Sequence, residues 1–150
     1  MGAGRSIEVR TVIDRGVDEV WDELRRLDRH VEWMHDAVEI RFLTDRHDGV
    51  GTRFECDTKV GPFSTTDVME ITAWEPEDSM GVRHVGLVEG TGAFELRPIA
   101  DGRTEVRWHE QLRFPWRLGG PIGEVVAGPI LRRIWSRNLE GLRDRVEATR

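Results

Sequence analysis

The chain contains one cysteine and no long apolar run, and each of these shortages excludes a class of protein. Because Cys56 is the single cysteine, neither an intrachain disulfide nor a zinc site with several cysteines can form. The apolar runs are a few residues long, whereas about 20 residues are needed to cross a bilayer. We therefore expect a cytoplasmic protein with no stable membrane insertion.

Positive charge is also in deficit. The 22 lysines and arginines face 28 acidic residues, which gives a net charge of -6 and argues against a general affinity for nucleic acid. A basic cluster occurs near the C-terminus, at Arg132, Arg133 and Arg137. We interpret it as the solvated side of a helix rather than a patch for nucleic acid or anionic lipid. We expect no nucleic-acid partner.

Apolar residues alternate with polar ones along much of the chain. Residues Ile7, Val9 and Ile13 predict a first strand. From Val17 to Leu24 the spacing changes to three or four residues, which predicts a short helix, and Asp28 is the expected N-cap of a second short helix ending near Met34. Alternation then resumes between residues 39 and 113, broken by turn residues that include Gly86, Gly90 and Gly92. This stretch predicts six further strands.

The C-terminal segment has the period of an amphipathic helix. Leu131, Trp135, Leu139, Leu142 and Val146 share one face, and the pattern predicts a helix from Pro129 to Glu147. The preceding residues, 114–128, include six glycines and prolines, so we expect an irregular or briefly helical segment that gives access to the interior. The 150 residues suit one domain, in which a bent antiparallel sheet wraps around this helix.

A strongly curved sheet against one helix predicts an apolar cavity between them. Its lining is predicted from the inward positions of both elements. From the sheet these are Val38, Ile40, Phe54, Cys56, Phe94, Leu96, Val106, Trp108 and Glu110; from the helix they are Leu131, Trp135 and Leu142.

Three ionisable residues are candidates for polar or catalytic contacts inside this cavity. Glu110 shares the parity of Trp108, and Asp67 shares that of inward residues on its own strand. His84 faces inward if Val82 does, whereas Val85 and Leu87 compete for the same face. His30 and His35 are five residues apart, about 140° around a helix, so they cannot share a metal ion on one helix. We expect no metal site and no cofactor.

The chain resembles the START-like superfamily, specifically its polyketide cyclase/dehydrase and lipid-transport branch, also called SRPBCC. The resemblance spans residues 6–148 and rests on the segments 17–21 with Trp33, 49–52, 74–76, 92–98, 101–108 and 139–142. It implies an α+β helix-grip fold. In that fold a curved seven-stranded antiparallel sheet surrounds a long C-terminal helix, and two short helices follow the first strand.

The resemblance implies several kinds of function. The favoured hypothesis is a binding or carrier protein for a small hydrophobic molecule, which is polyketide-, aromatic- or lipid-like. One alternative is a polyketide cyclase, aromatase or dehydratase that uses acid-base residues in the cavity. A second is a macromolecular interaction module with a filled interior. No catalytic signature occurs at a matching position, so enzymatic activity is left open, and we expect a monomer or a weak homodimer.

Overall fold

The protein folds into a curved antiparallel sheet around one long helix. The computed structural model describes residues 5–86 and 88–149, without the side chain of Arg5. In chain order the elements are β1 (Arg5–Ile13), α1 (Val17–Leu24), a 3₁₀ helix (Leu27–Glu32), β2 (Ala37–Phe42), β3 (Arg53–Val60), β4 (Phe63–Glu75), β5 (Ser79–Val85), β6 (Glu89–Ile99), a 3₁₀ turn (Ala100–Gly102), β7 (Arg103–Arg113), a 3₁₀ turn (Trp116–Leu118) and α2 (Gly120–Ala148). This order confirms the predicted α+β helix-grip fold.

The sheet is built from consecutive hairpins that are closed by the first strand. Its order is β1-β7-β6-β5-β4-β3-β2, and all neighbouring strands are antiparallel. On β7, Thr104, Val106, Trp108, Glu110 and Leu112 are buried while the residues between them are not. This two-residue period is what strand geometry requires of a sheet with one dry face. The inward face of β7 is therefore the one that the sequence pattern predicted.

A solid core fills one end of the space between α2 and the sheet. Leu139, Leu142 and Val146 of α2 are at most 3% exposed, and they belong to one buried cluster with Ile13 and Leu24. Helix α2 contacts β1, β7 and α1. Burying side chains of this size stabilises the fold by about 1.5–3 kcal/mol each, so this end anchors the helix to the sheet.

Helix α2 begins earlier than the sequence pattern predicted. The expected start was Pro129, but the helix begins at Gly120, with Pro121 in its first turn and Pro129 inside it. An internal proline removes one hydrogen bond, here the bond to the carbonyl of Val125, a residue that is 55% exposed. Water can satisfy that carbonyl, so the helix continues through the proline. The segment predicted as irregular is therefore largely the start of α2.

The second short helix is also different from the prediction. It is a 3₁₀ helix from Leu27 to Glu32, so Asp28 lies inside it, and no side chain caps its start. The amide of Arg29 donates to the carbonyl of Arg26 at 2.9 Å, the three-residue hydrogen bond of a tight turn. The two buried anchors of this short segment, Leu27 and His30, are only one tight turn apart, which leaves too little length for a capped α-helix.

Candidate functional site

A cavity of about 220 Å³ lies between the concave face of the sheet and α2. The interior therefore contains an open space, whereas the interaction-module alternative required a filled interior. Eight of the twelve predicted ligand-binding residues line this cavity: Ile40, Phe54, Cys56, Phe94, Trp108, Glu110, Leu131 and Trp135. The three polar candidates Asp67, His84 and Glu110 all line it. Whether these residues bind a ligand stays a prediction.

Four predicted lining residues lie elsewhere. Val38 is 60% exposed, because a β-bulge between Ala37 and Glu39 shifts the register of β2 and turns Ala37 inward instead. Leu96, Val106 and Leu142 are at most 5% exposed and belong to the buried core instead of the cavity wall. Alternation predicted their inward direction correctly, but it does not report how far the empty space extends.

The cavity wall contains residues that the sequence analysis did not select. Some come from the 3₁₀ helix and the segment after it, and others from the middle strands: Leu27, His30, Met34, Asp36, Ala37, Thr58, Val60, Thr65, Met69, Ile71, Met80, Val82, Val88, Leu112 and Phe114. The parity of Asp67 predicts Met69 and Ile71, and that of Trp108 predicts Leu112. No periodic signal identifies the inward side of the short 3₁₀ helix.

Stacked aromatic rings form one wall of the cavity. Trp108 of β7 lies opposite Phe94 of β6 in the sheet register, with ring centroids 4.8 Å apart. On its other side Trp108 stacks on Trp135 of α2 at 5.1 Å, with the ring planes 24° apart. Each of these three residues is at most 7% exposed. The contacts connect sheet to helix through a rigid apolar surface.

Glu110 is a buried carboxylate with two hydrogen-bond donors. Its Oε1 lies 2.6 Å from Nε2 of His84, and its Oε2 accepts a hydrogen bond from Nε1 of Trp108 at 2.9 Å. Glu110 is 4% exposed, and a carboxylate is retained at such a depth when charge-assisted hydrogen bonds compensate its lost hydration. The carboxylate therefore fixes the orientation of both rings.

Two glycines on β6 leave space for the contact between Glu110 and His84. Glu110 of β7 lies opposite Gly92 of β6, and a Cβ at residue 92 would lie 2.6–2.8 Å from the carboxylate atoms of Glu110. His84 of β5 lies opposite Gly90 of β6. The strand between β5 and β7 thus carries no side chain at the two positions where Glu110 and His84 meet. The sequence context indicated turn residues at 90 and 92, whereas both lie within β6.

The pKa values of Asp67 and His84 are both raised above their ordinary values. Burial raises the pKa of Asp67, and its Oδ1 is a buried atom without a hydrogen-bond partner in residues 5–86 and 88–149. Burial opposes the charged form of His84, but the charge and hydrogen bond of Glu110, together with the charge of Asp67, hold its pKa above the ordinary 6.5. The cavity therefore contains an imidazole whose protonated form is favoured by the neighbouring carboxyl groups of Glu110 and Asp67.

Two other candidates for chemistry are structural. The thiol of Cys56 is buried, and burial raises its pKa to about 11, so it is not a thiolate nucleophile at neutral pH. His30 contacts the carbonyl of Leu24 through Nε2 at 2.7 Å, and burial lowers its pKa to about 4. Among the described residues, no three His, Cys, Asp or Glu side chains come together in a metal-binding group.

The buried imidazole of His30 makes stability depend on pH. Its pKa is about 4 in the folded protein against 6.5 for an ordinary imidazole. Between these values the unfolded state binds more protons, so the free energy of unfolding falls as the pH drops. The loss from this residue is about 3 kcal/mol, fully expressed at about pH 4. Urea unfolding at neutral pH and at about pH 4 measures it.

His30→Gln is the matched variant for this measurement, because the amide nitrogen can still donate to Leu24 while the residue no longer titrates. We expect its free energy of unfolding to fall less in acid than that of the wild type. The carboxylates contribute equally to both proteins, so the difference isolates His30. Identical pH dependence in both would show that His30 is not buried in its neutral form.

Comparison with solved structures gives the same fold across nearly the whole chain. A START superfamily protein from Mycobacterium smegmatis is 11% identical with a TM-score of 0.77, covering 97% of this chain and 99% of that one. A Thermus thermophilus protein is 16% identical with a TM-score of 0.77, covering 96% and 98%. The Zhui aromatase/cyclase from a Streptomyces species is 16% identical with a TM-score of 0.71, covering 96% and 92%.

The sequence itself identifies the family. Residues 5–147 match the model of the family described as polyketide cyclase / dehydrase and lipid transport. Comparison with curated proteins finds no match. The chain therefore belongs to the polyketide cyclase/dehydrase and lipid-transport family, as its motifs and cavity indicated. The family and fold are consistent with binding of a hydrophobic molecule, but they do not identify the particular molecule.

Proposed function

We propose that the protein binds a small, largely apolar molecule that carries one polar oxygen, held in the cavity between sheet and α2. The observation that carries this proposal is the space of about 220 Å³, walled by aromatic and aliphatic side chains with one polar cluster. Binding sites for small molecules have this composition, in which a few polar groups orient an otherwise apolar ligand.

The cavity volume limits the size of the ligand. An apolar cavity of about 150 Å³ holds a benzene ring, so a space of about 220 Å³ accommodates a somewhat larger molecule. A compact aromatic compound or a short acyl chain fits this volume. A long lipid would require α2 to move away from the sheet.

The polar cluster of Glu110, His84 and Asp67 orients the ligand in the cavity. Both oxygens of Glu110 are already engaged by His84 and Trp108, so Glu110 acts on the ligand through those rings. The remaining ring nitrogen of His84, Nδ1, has no hydrogen-bond partner within the described chain, and neither has Oδ1 of Asp67. In its protonated form the imidazole donates from Nδ1 to a carbonyl or hydroxyl oxygen, and the carboxylate of Asp67 accepts from a hydroxyl group.

The test compares inward with outward substitutions on the same strands. Phe54→Ala removes a ring from the cavity wall, whereas Arg53→Ala changes the exposed neighbour on β3. We expect Phe54→Ala to change the Kd for the neutral fluorophore N-phenyl-1-naphthylamine at least about fivefold, because the probe loses apolar contact area. Trp108→Ala and Glu105→Ala form a second pair on β7. Equal effects from inward and outward variants would contradict a ligand cavity.

A second function is favoured by one specific observation, the contact of His84 with Glu110 at 2.6 Å in a cavity that also contains Asp67. In a cyclase or dehydratase, two such groups act on one enolisable ketone. His84 gives its proton to the carbonyl oxygen while the carboxylate of Asp67 takes the α-proton, and the product is the enol. Reversal of these steps in heavy water replaces the α-proton by deuterium.

Deuterium exchange therefore measures this activity directly. An aryl methyl ketone in heavy water is expected to lose its α-proton NMR signal faster with the wild type than with Asp67→Asn, which keeps the shape of the carboxyl group. Thr66→Ala, one residue away and exposed, is the control. Deuterium exchange at the same rate in all three proteins would contradict the enzymatic function and leave ligand binding alone as the proposed function.

A further inference from the structure

The first half of α2 is apolar on two opposite faces. Its inner face contributes Leu131 and Trp135 to the cavity. Its outer face carries Ile122, Val125, Val126 and Ile130, which are 76%, 55%, 64% and 51% exposed. Their spacing of three and four residues places them in one stripe along the helix. A helix that is apolar all round contacts apolar surroundings on both sides, and here one side is bare.

Trp116 extends this bare surface. It is 88% exposed and lies in the 3₁₀ turn that contacts the start of α2. We call Trp116, Ile122, Val125, Val126 and Ile130 the outer patch. Large exposed apolar side chains that are grouped in this way mark interaction sites, because isolated ones are common but contiguous ones are not.

Arginines flank the outer patch. Arg117, Arg133 and Arg137 are all exposed, and none of them has an ion pair with any residue in 5–86 or 88–149. By helical spacing, Arg133 and Arg137 continue the same stripe beyond Ile130. The surface beside the outer patch is therefore locally cationic, although the protein as a whole carries a net charge of -6.

Between Trp116 and Arg137 the one acidic residue is Glu124, and it does not cancel that charge at the surface. The carboxylate of Glu124 accepts a hydrogen bond from the amide of Phe114 at 2.8 Å, and Glu124 is half-buried. The sequence pattern alone indicated that the arginines were a solvated helix face. The exposed aliphatic residues in the preceding turns are what changes that interpretation.

We propose that the outer patch docks the protein reversibly on an anionic lipid surface. Aliphatic side chains and a tryptophan enter the headgroup region, and the arginines contact the lipid phosphates. A second copy of this chain fits less well, because a symmetric contact would oppose the arginines of the two copies. None of the described helices is long and apolar enough to span a membrane.

Docking in this orientation has a consequence for the cavity. Phe114 and Leu131 line the cavity, and both flank the outer patch in the chain. The end of α2 that contacts lipid is thus the end that closes the cavity, away from the solid core around Leu142. A membrane-bound protein would exchange apolar molecules with the lipid phase.

Vesicle flotation tests docking without any bound ligand. We expect binding to vesicles of phosphatidylcholine with about 30% phosphatidylglycerol, weaker binding at high salt, and little binding to phosphatidylcholine alone. Arg133→Gln with Arg137→Gln should weaken binding about thirtyfold, since each arginine near an anionic surface contributes roughly fivefold. Ile122→Ser with Val126→Ser should weaken it at least about tenfold by removing the buried apolar area.

The control variant is Val50→Ser with Arg53→Gln, which makes the same kinds of change on exposed residues outside the patch. It should bind vesicles as the wild type does. The proposal is overturned if the wild type does not float with anionic vesicles, if the control loses as much affinity as the patch variants, or if sedimentation equilibrium shows patch-dependent dimers instead. Uptake of N-phenyl-1-naphthylamine by the patch variants reports separately on the cavity.

Discussion

Cys56→Phe is expected to abolish uptake of N-phenyl-1-naphthylamine, with a Kd at least about a hundredfold higher than that of the wild type. Cys56 is 5% exposed and lines the cavity from β3, where it lies opposite Asp67 of β4. A phenyl ring at this position occupies a large share of a space of about 220 Å³. An occupied cavity has no volume left for the probe.

Cys56→Val is the matched control, because it changes the chemistry of the side chain but adds little volume. It should bind the probe within about threefold of the wild type. Circular dichroism and urea unfolding establish that both variants are folded. Unchanged uptake by the phenylalanine variant would mean that the probe binds outside the cavity, and the proposed function would fail with it.

Glu110→Leu is expected to have the second large effect, a decrease of about 2–4 kcal/mol in the free energy of unfolding. The substitution removes the acceptor of both His84 Nε2 and Trp108 Nε1, and it leaves these groups buried without partners. Burial then becomes the dominant influence on His84, so its pKa should fall from above 6.5 to below that value. Imidazole NMR titration measures the change.

Glu110→Gln separates the charge from the hydrogen bonds. Its amide oxygen still accepts a hydrogen bond, so most of the packing and part of the bonding remain. We expect a smaller loss of stability, yet a clear fall in the pKa of His84, because the negative charge that raises it is gone. A pKa of His84 that is unchanged in both variants would show that Glu110 does not contact the imidazole in solution.

Periodicity was sufficient to predict the framework. The two-residue period of β7 and the helical spacing of Leu139, Leu142 and Val146 directly reflect which face of each element is buried. The departures are at points where a single residue changes the local geometry. The bulge beside Ala37 turned Val38 outward, and Pro121 rather than Pro129 occupies the first turn of α2. Neither the bulge nor the position of the first-turn proline produces a periodic pattern in the sequence.

The site was predictable residue by residue but not as an arrangement. Parity placed Glu110 on an inward face and left His84 between two possible faces. It could not show that they are in contact, because they are on β5 and β7 with β6 between them. Their contact depends on the absence of side chains at Gly90 and Gly92, residues that the sequence context indicated as turns. Whether two side chains meet across an intervening strand depends on the tertiary structure, and residue parity along a single strand does not report it.

The same limit explains the cavity. Leu96 and Phe94 are neighbours in the inward series of β6 and are equally buried, yet Phe94 lines the open space and Leu96 does not. The difference depends on where α2 and the 3₁₀ helix approach the sheet. Strand alternation carries no information about that distance.

Native mass spectrometry of the protein as purified is the most direct test of a ligand-binding cavity. The account predicts a population whose mass exceeds that of the 17.3 kDa chain by one small apolar molecule. That population should be absent from Cys56→Phe and retained in Cys56→Val. A wild-type protein that carries no added mass as purified, and that takes up none from a mixture of aromatic and short acyl compounds, would contradict it.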